Sequence, residues 1–189
     1  MTEPFDYWAV IDRYYPSDRK VRDILVDHSR RVAQHALHIN RTCNLGLDEK
    51  EIETAAMLHD IGIIFTDAPA IDCHGSEPYL CHGSLGANLL RSEGAPEIYA
   101  SVAERHTGAG LTADDIRQFR LPMPARDMMP RTDLERLICY ADCFHSKTRL
   151  GQTKTLEQVR AGMATHGPKI LERFDELRKS VLRGHDDCL

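Results

Sequence analysis

The sequence predicts an all-α fold, and three observations carry that prediction. Apolar residues recur at helical spacing in one segment after another along the 189 residues. Several of these segments open on Ser, Thr or Asp and close on Gly, Asn or Pro, the residues that cap and break helices. The one long stretch without a period, residues 63–80, holds two prolines and a glycine and reads as a loop rather than as further helix.

Taken in order, Phe5 to Tyr15 is aromatic-rich and stops at Pro16, as a short helix would that packs across the body or lines a pocket mouth. Ser17 or Asp18 is placed to cap the next helix. Its stripe runs Val21, Ile24, Leu25, Val32, Ala36, Ile39, Cys43, and it ends at Asn44 and Gly46. His28 lies on that stripe. Asp48, with Glu51 three residues on, opens a helix whose Ile52, Ala55, Ala56 and His59 share a face, and Gly62 supplies the stop. A helix from Cys81 to about Glu93 carries His82, Leu85, Gly86 and Leu89 at helical spacing before Gly94-Ala95-Pro96 breaks it. The next, from about Glu97, puts Tyr99, Val102, Ala103 and His106 on one stripe and ends in Thr107 to Gly110.

Thr112 to Asp115 can open a short helix, and the three prolines between Leu121 and Arg131 keep that stretch irregular. Thr132-Asp133-Leu134-Glu135 matches a capping box, after which Leu134, Leu137, Ile138, Ala141 and His145 form a stripe that also contains Asp142. Thr155 to Arg183 reads as two packing helices interrupted at Gly167-Pro168, and Gly184 to Leu189 as a frayed end. Without repeats or an internal linker, one domain over 1–189 is the default, with its core at about 17–148 and the helices at 5–15 and 155–183 packed on it.

Composition narrows the function. A net charge of -5 argues against a broad basic surface for bare nucleic acid and suits a small phosphorylated molecule better. No apolar run is long enough for a membrane span, and Met1 to Asp6 lacks the pattern of a signal peptide, so a cytoplasmic protein is expected. Six cysteines (Cys43, Cys73, Cys81, Cys139, Cys143, Cys188) show no CxxC pair and read as reduced. Ten histidines are the compositional outlier.

Six residues able to bind metal recur on core-facing stripes: His28, His59, Asp60, His82, His106 and Asp142. A lone histidine on such a stripe is more often a hydrogen-bonded core residue than a ligand. Six polar groups on converging faces exceed what a core of this size has reason to bury. Buried charge is costly unless paired or bound to metal. The adjacent His59-Asp60 pair adds a geometric condition: neighbours on a helix point about 100° apart, so both reach one centre only where the helix is ending. Imidazole and carboxylate donors without thiolate suit Fe, Mn, Co, Ni or Zn.

His59-Asp60-Ile61-Gly62, with a helical His28 before it and a helical Asp142 after it, resembles the HD-domain metal-dependent phosphohydrolases, in the subgroup bearing His-Asp-Ile-Gly. The resemblance runs from about Val26 to Lys147. His28, His59, Asp60 and Asp142 match the four core ligands, and His82 and His106 match the two added ligands of binuclear members. It implies an all-helical bundle with the metal site in its centre. Asp60 would bridge two divalent ions, one held by His28, His59 and Asp142 and the other by His82 and His106. Fe or Mn come first, with Zn, Ni, Co or Mg as alternatives.

It also implies hydrolysis of a phosphate ester or anhydride, such as a nucleotide, by a chain that could pair as a homodimer. Lys147 and Arg126 are candidates to contact phosphate, against the plainer reading of each as a solvated cation. His74 is the first candidate to protonate the leaving group, with His145 and Asp67 behind it; His35 and His38 read as packing or surface residues. The rival readings are an HD-domain di-iron oxygenase using the same six ligands and a catalytically silent nucleotide-binding module.

Overall fold

The apolar stripes become the buried faces of α-helices in a computed structural model that describes residues 5–17 and 19–185. Helix α1 (Tyr7–Tyr14) starts where the Asp6 carboxylate accepts the Ala9 N–H and stops before Pro16. Helix α2 (Lys20–Thr42) buries Val21, Ile24, Leu25, His28, Val32, Ala36 and Ile39, and the chain leaves it through Asn44 and Gly46, both at positive φ. Arg19 occupies its N-cap without a side-chain hydrogen bond, so Ser17 does not cap it, and Asp18 lies outside the described residues.

Helix α3 (Glu49–Leu58) is capped by Asp48, which accepts from the N–H groups of Lys50 and Glu51. Helices α4 (His82–Ser92), α5 (Glu97–Arg105) and α6 (Ala113–Gln118) follow, the last opened by a complete Thr112–Asp115 capping box. Helix α7 is Asp133–Asp142; α8 (Leu156–Ala164) and α9 (Pro168–Leu182) are parted at Gly167, with Pro168 in the first turn of α9 where its missing N–H costs nothing.

α2 packs on α3 and α7, α4 on α5, and α9 on α7 and α8. Leu25, Ile39, Ile52, Leu58, Leu90 and Ile138 are fully buried between them. Phe174 of α9 stacks on Tyr140 of α7 with ring centroids 5.7 Å apart, which ties the C-terminal helices to this core. At the other end Tyr15 is fully buried. Its hydroxyl donates to the Ile61 carbonyl at 2.7 Å and accepts from the Ile64 N–H at 3.1 Å. The aromatic N-terminal segment therefore braces the turn that follows Asp60.

Residues 63–80 are more ordered than a loop. A 3₁₀ turn (Ile61–Phe65) leads into β1 (Thr66–Ala68), which pairs antiparallel with β2 (Cys73–His74) and parallel with β3 (Glu77–Pro78), in the order β2-β1-β3. Strands of two or three residues leave no periodicity to read, which is why the sequence showed only a loop.

Three local expectations change. Gly62 is not the stop of α3, which ends at Leu58; it sits inside the 3₁₀ turn, where an added Cβ would lie 2.2 Å from the His82 carbonyl oxygen and 2.4 Å from the Gly86 nitrogen. Its role is to let the turn touch α4. The Thr132 hydroxyl does accept the Glu135 N–H, but the Glu135 carboxylate turns to the Arg131 N–H and the Arg105 guanidinium, so the box is half made. His145 lies beyond α7, which ends at Asp142.

Cys73, Cys81, Cys139 and Cys143 are free thiols and Cys43 is buried; Cys188 lies outside the described residues, as do 186–189 of the end expected to fray. Among the described residues no helix is long and apolar enough to cross a membrane.

Candidate metal centre

Each of the six side chains comes from a helix or a helix end facing the same interior point. His28 is in the third turn of α2 and Asp142 is the last residue of α7. His59 is the C-cap of α3, and Asp60 follows as the backbone leaves the helix (φ -102°, ψ 10°). That departure lets two sequence neighbours aim at one centre. His82 opens α4 and His106 closes α5. All but Asp142 are buried, and Asp142 has 16% of its side chain exposed.

Their donor atoms form two groups that share Asp60: His28, His59, Asp60 and Asp142 in one, Asp60, His82 and His106 in the other, with the atoms of each group within 4.8 Å of one another. In the first, His28 Nε2 is 3.1 Å from Asp60 Oδ2 and 2.9 Å from Asp142 Oδ1, and His59 Nε2 is 3.0 Å from Asp60 Oδ2. In the second, His82 Nε2 and His106 Nε2 both lie 3.3 Å from Asp60 Oδ1. The two carboxylate oxygens of Asp60 thus face different groups.

The backbone sets the imidazole orientations. Nδ1 of His59, His82 and His106 lies 2.6, 2.7 and 2.8 Å from the carbonyls of Ala56, Tyr79 and Ala103, each three residues back. A carbonyl only accepts, so each Nδ1 carries a proton, and in the neutral ring each Nε2 presents a lone pair inward. Those inward nitrogens crowd: His82 Nε2 and His106 Nε2 are 3.0 Å apart, His28 Nε2 and His59 Nε2 3.3 Å. Neither oxygen of Asp60 is in a well-directed hydrogen bond although both are fully buried. Ring nitrogens converging on a buried carboxylate, with the outer nitrogens of three of the four rings bonded to carbonyls, fit the arrangement of a metal site.

Positive charge from the protein balances the carboxylates. Lys147 Nζ is 2.6 Å from Asp60 Oδ2, with 11% of its side chain exposed. Burial works against the Lys147 charge, yet Asp60 and Asp142 hold its pKa above the ordinary lysine range. Burial opposes ionisation of Asp60 as well, but His59 and Lys147 keep it well below the usual carboxylate range; Asp142 is held low in the same way, by Lys147 and His28. Against its own burial, His59 is raised to about 10 by Asp60 and Asp142. Burial drives His82 down to about 3, with His106 and Lys147 adding to the effect and Asp60 opposing it.

The other residues singled out in the sequence are placed differently. Lys147 is not the solvated cation of the plainer reading: it is buried against the cluster. Arg126 is half exposed and bonds Glu104 Oε1 at 2.7 Å and Ser84 Oγ at 3.3 Å. His74 is exposed on β2, 3.5 Å from Asp72, and Asp67 is exposed opposite it on β1. His145 is buried against His35, its Nε2 3.3 Å from His35 Nδ1, and burial lowers its pKa to about 4. His38 is exposed.

The sequence reasoning missed Tyr79, whose ring stacks on His82 at 4.7 Å, and the pair Ser146 and Thr148 flanking Lys147. Tyr79, His145, Ser146, Lys147 and Thr148 line one opening of about 360 Å³, which Lys154 also borders. A Ser-Lys-Thr triplet four residues after a helical aspartate was the available signal.

The family described as HD domain matches residues 25–147, a span that holds all six cluster residues. A tRNA (cytidine(56)-2'-O)-methyltransferase of Picrophilus torridus is 29% identical over 167 residues, which cover 87% of this chain and 45% of that protein. An uncharacterised protein of Methanocaldococcus jannaschii is 34% identical over 121 residues, 62% of this chain and 64% of that one. The chain thus spans between about half and just under two thirds of the lengths of these curated relatives. The HD domain of the L. monocytogenes phosphodiesterase PgpH in complex with cyclic-di-AMP is similar in fold, with a TM-score of 0.53 at 14% identity over the whole of both chains. A second structure of that domain gives 0.52 over 95% of this chain and 98% of the other.

Proposed function

This chain belongs to the HD-domain family, and from that premise we propose that it is a metal-dependent phosphohydrolase acting on a small phosphorylated molecule of the nucleotide type. The observation that carries the reading is the pair of ligand groups joined at Asp60, beside an opening edged by Lys147, Ser146 and Thr148. His28, His59 and Asp142 would hold one divalent ion and His82 and His106 the other, with Asp60 shared between them. Fe or Mn suits this nitrogen and oxygen set best. When bound, such a pair of ions lowers the pKa of a water to near neutrality and neutralises charge on phosphoryl oxygens.

The chain's own groups do the rest. The carbonyls of Ala56, Tyr79 and Ala103 fix three imidazoles so that the donor set is preorganised. The Lys147 ammonium, next to Asp60 and at the edge of the opening, is positioned to neutralise a phosphoryl oxygen, and the Ser146 and Thr148 hydroxyls can donate to the others. Of the histidines considered for leaving-group protonation, His145 borders the opening whereas His74 pairs with Asp72 in solvent, which favours His145 as the nearer hydrogen-bond donor. Arg126, engaged with Glu104, is the weaker of the two phosphate candidates.

PgpH in its solved complex holds cyclic-di-AMP, which supports phosphodiesters of nucleotides as the first substrates to try. The methyltransferase name belongs to a relative of which this chain spans 45%, and a buried four-histidine, two-aspartate cluster suits hydrolysis better. The test is a panel of nucleotides, cyclic dinucleotides and simple phosphate esters offered to protein loaded anaerobically with Mn or Fe. Turnover abolished by Asp60→Ala is expected. Silence across the panel, with oxygen consumed on an organic substrate, would overturn the reading in favour of the di-iron oxygenase.

A further inference from the structure

Beside the metal centre lies a second and larger space, a cavity of about 640 Å³ walled by the end of α6, the segment after α5 and the inner face of α8. That size is ordinary for a small-molecule site, roughly 300–1,000 Å³. Three of its walls grow directly from cluster residues: Thr107 and Gly108 follow His106, Cys143 follows Asp142, and Leu80 stands two residues before His82. The opposite side is apolar, formed by Phe119, Val159 and Met163. The acid on its lining, Asp115, is already committed to Arg173 at 2.7 Å.

Lys154 lines both this cavity and the smaller opening edged by Lys147, and its Nζ donates to the Cys143 carbonyl at 3.2 Å. A molecule with its phosphate at Lys147 and the cluster would therefore pass Lys154 and meet an apolar chamber. Glycines at 108 and 110 leave one wall as bare backbone, and Phe119 at the rim is 45% exposed, a large ring with room for a flat partner.

We propose that this cavity takes an uncharged, apolar-faced ring of the phosphorylated substrate, a nucleobase or an aryl group, while Lys154 marks the junction with the phosphate end. The position of the phosphate rests on the hydrolase reading; the cavity's preference for a ring does not. α8 lies beyond residues 25–147, the span matched by the family, so this wall of the cavity is not part of the matched core.

Binding of three probes to the metal-loaded full chain, measured by calorimetry, tests this: adenosine 5'-monophosphate, 1-naphthyl phosphate and ribose 5-phosphate. At least one ring-bearing phosphate should bind about tenfold or more tightly than ribose 5-phosphate, because only it buries apolar surface. Preference for the nucleotide assigns the cavity to a base, preference for the naphthyl ester to another aryl group.

Gly162 lines the cavity where an added Cβ meets nothing within 4 Å, so the position accepts a side chain and Gly162→Phe is the variant chosen to occupy the space. It should remove the ring preference and leave ribose 5-phosphate binding unchanged, and Phe119→Ala should weaken the preference from the end of α6. Equal binding of all three probes, or a preference untouched by both variants, would overturn the proposal. Turnover is read separately: ring-selective binding without hydrolysis removes the phosphohydrolase reading and keeps the cavity assignment, whereas hydrolysis without ring selectivity does the reverse.

Discussion

His82 Nε2 and His106 Nε2 face each other at 3.0 Å while Nδ1 of each is held by a main-chain carbonyl three residues back. Two neutral rings locked in that tautomer cannot satisfy one another, since both offer lone pairs. A cation between them and Asp60 Oδ1 resolves the conflict, and this makes the second ion testable apart from the first. Metal analysis of anaerobically prepared protein should give about two divalent ions per chain, as a two-metal hydrolytic site requires. His82→Ala should reduce this to about one while His28→Ala affects the other group. Metal added at a hundredfold excess over Kd should raise stability by about 2.7 kcal/mol. A single ion whose binding is indifferent to His82→Ala would defeat the two-metal assignment.

Lys147 is the cation that the buried Asp60 already has, and removing it should show an effect that depends on metal. In chelator-stripped protein Lys147→Met leaves Asp60 with one fewer positive neighbour, and loss of one partner of a buried pair costs about 3–5 kcal/mol. With metal bound the loss should shrink, because the ions take over the neutralisation. Thermal melts of both proteins with and without Mn read this directly. If Lys147 also holds phosphate, metal-loaded Lys147→Met should lose about 10- to 100-fold in kcat/KM, the worth of one charge-assisted contact. Equal melting penalties in both metal states would count against a role at the cluster.

Five of the cluster residues were legible in the sequence because each lies on a stripe whose period a helix dictates, and Asp60 because it adjoins His59 where α3 stops. Lys147 was legible there only as a candidate to contact phosphate; its contact with Asp60 was not, since it follows the end of α7 and only the tertiary fold brings its side chain there. The position of His74, the first candidate to protonate the leaving group, was out of reach of the pattern for a similar reason. The ladder of β1 with β2 turns it to solvent, and strands so short leave no pattern to read. Gly62 was assigned by its type to a helix stop, whereas its function is a close contact that depends on a distant helix.

That contact makes a sharp prediction. A methyl group at residue 62 would meet the His82 carbonyl oxygen at 2.2 Å and the Gly86 nitrogen at 2.4 Å, both backbone atoms that cannot swing aside. Gly62→Ala should push the turn off α4 at a cost of about 1–3 kcal/mol or more, as overpacking does. It should also move His82 relative to Asp60, so metal at the His82 and His106 group is lost before metal at His28. Urea unfolding and metal stoichiometry measured together separate this from plain destabilisation. Wild-type stoichiometry in a destabilised variant would show that the contact serves packing alone.

Acid sensitivity should trace partly to a pair far from the cluster. Asp115 is buried in the first turn of α6, with its carboxylate 2.7 Å from the Arg173 guanidinium of α9 and accepting the Thr112 N–H. Burial opposes its charge, but Arg173 and the Thr112 bonds prevail and hold its pKa below the usual aspartate value. A group whose folded pKa is depressed contributes stability above its unfolded pKa, about 3.9, and loses it as pH falls through the folded value. The contribution should therefore be intact at neutral pH and fade below about pH 4. Asp115→Asn keeps the shape of the cap and removes the charge, so at pH 7 it should cost about 1.5–3 kcal/mol, the scale of a hydrogen bond to a charged group. The gap to wild type should close on acidification, because wild type then carries a neutral carboxyl too. Denaturant midpoints at pH 7 and pH 3 measure it, and a gap that stays constant between the two would mean that Asp115 acts through its cap rather than through its charge on Arg173.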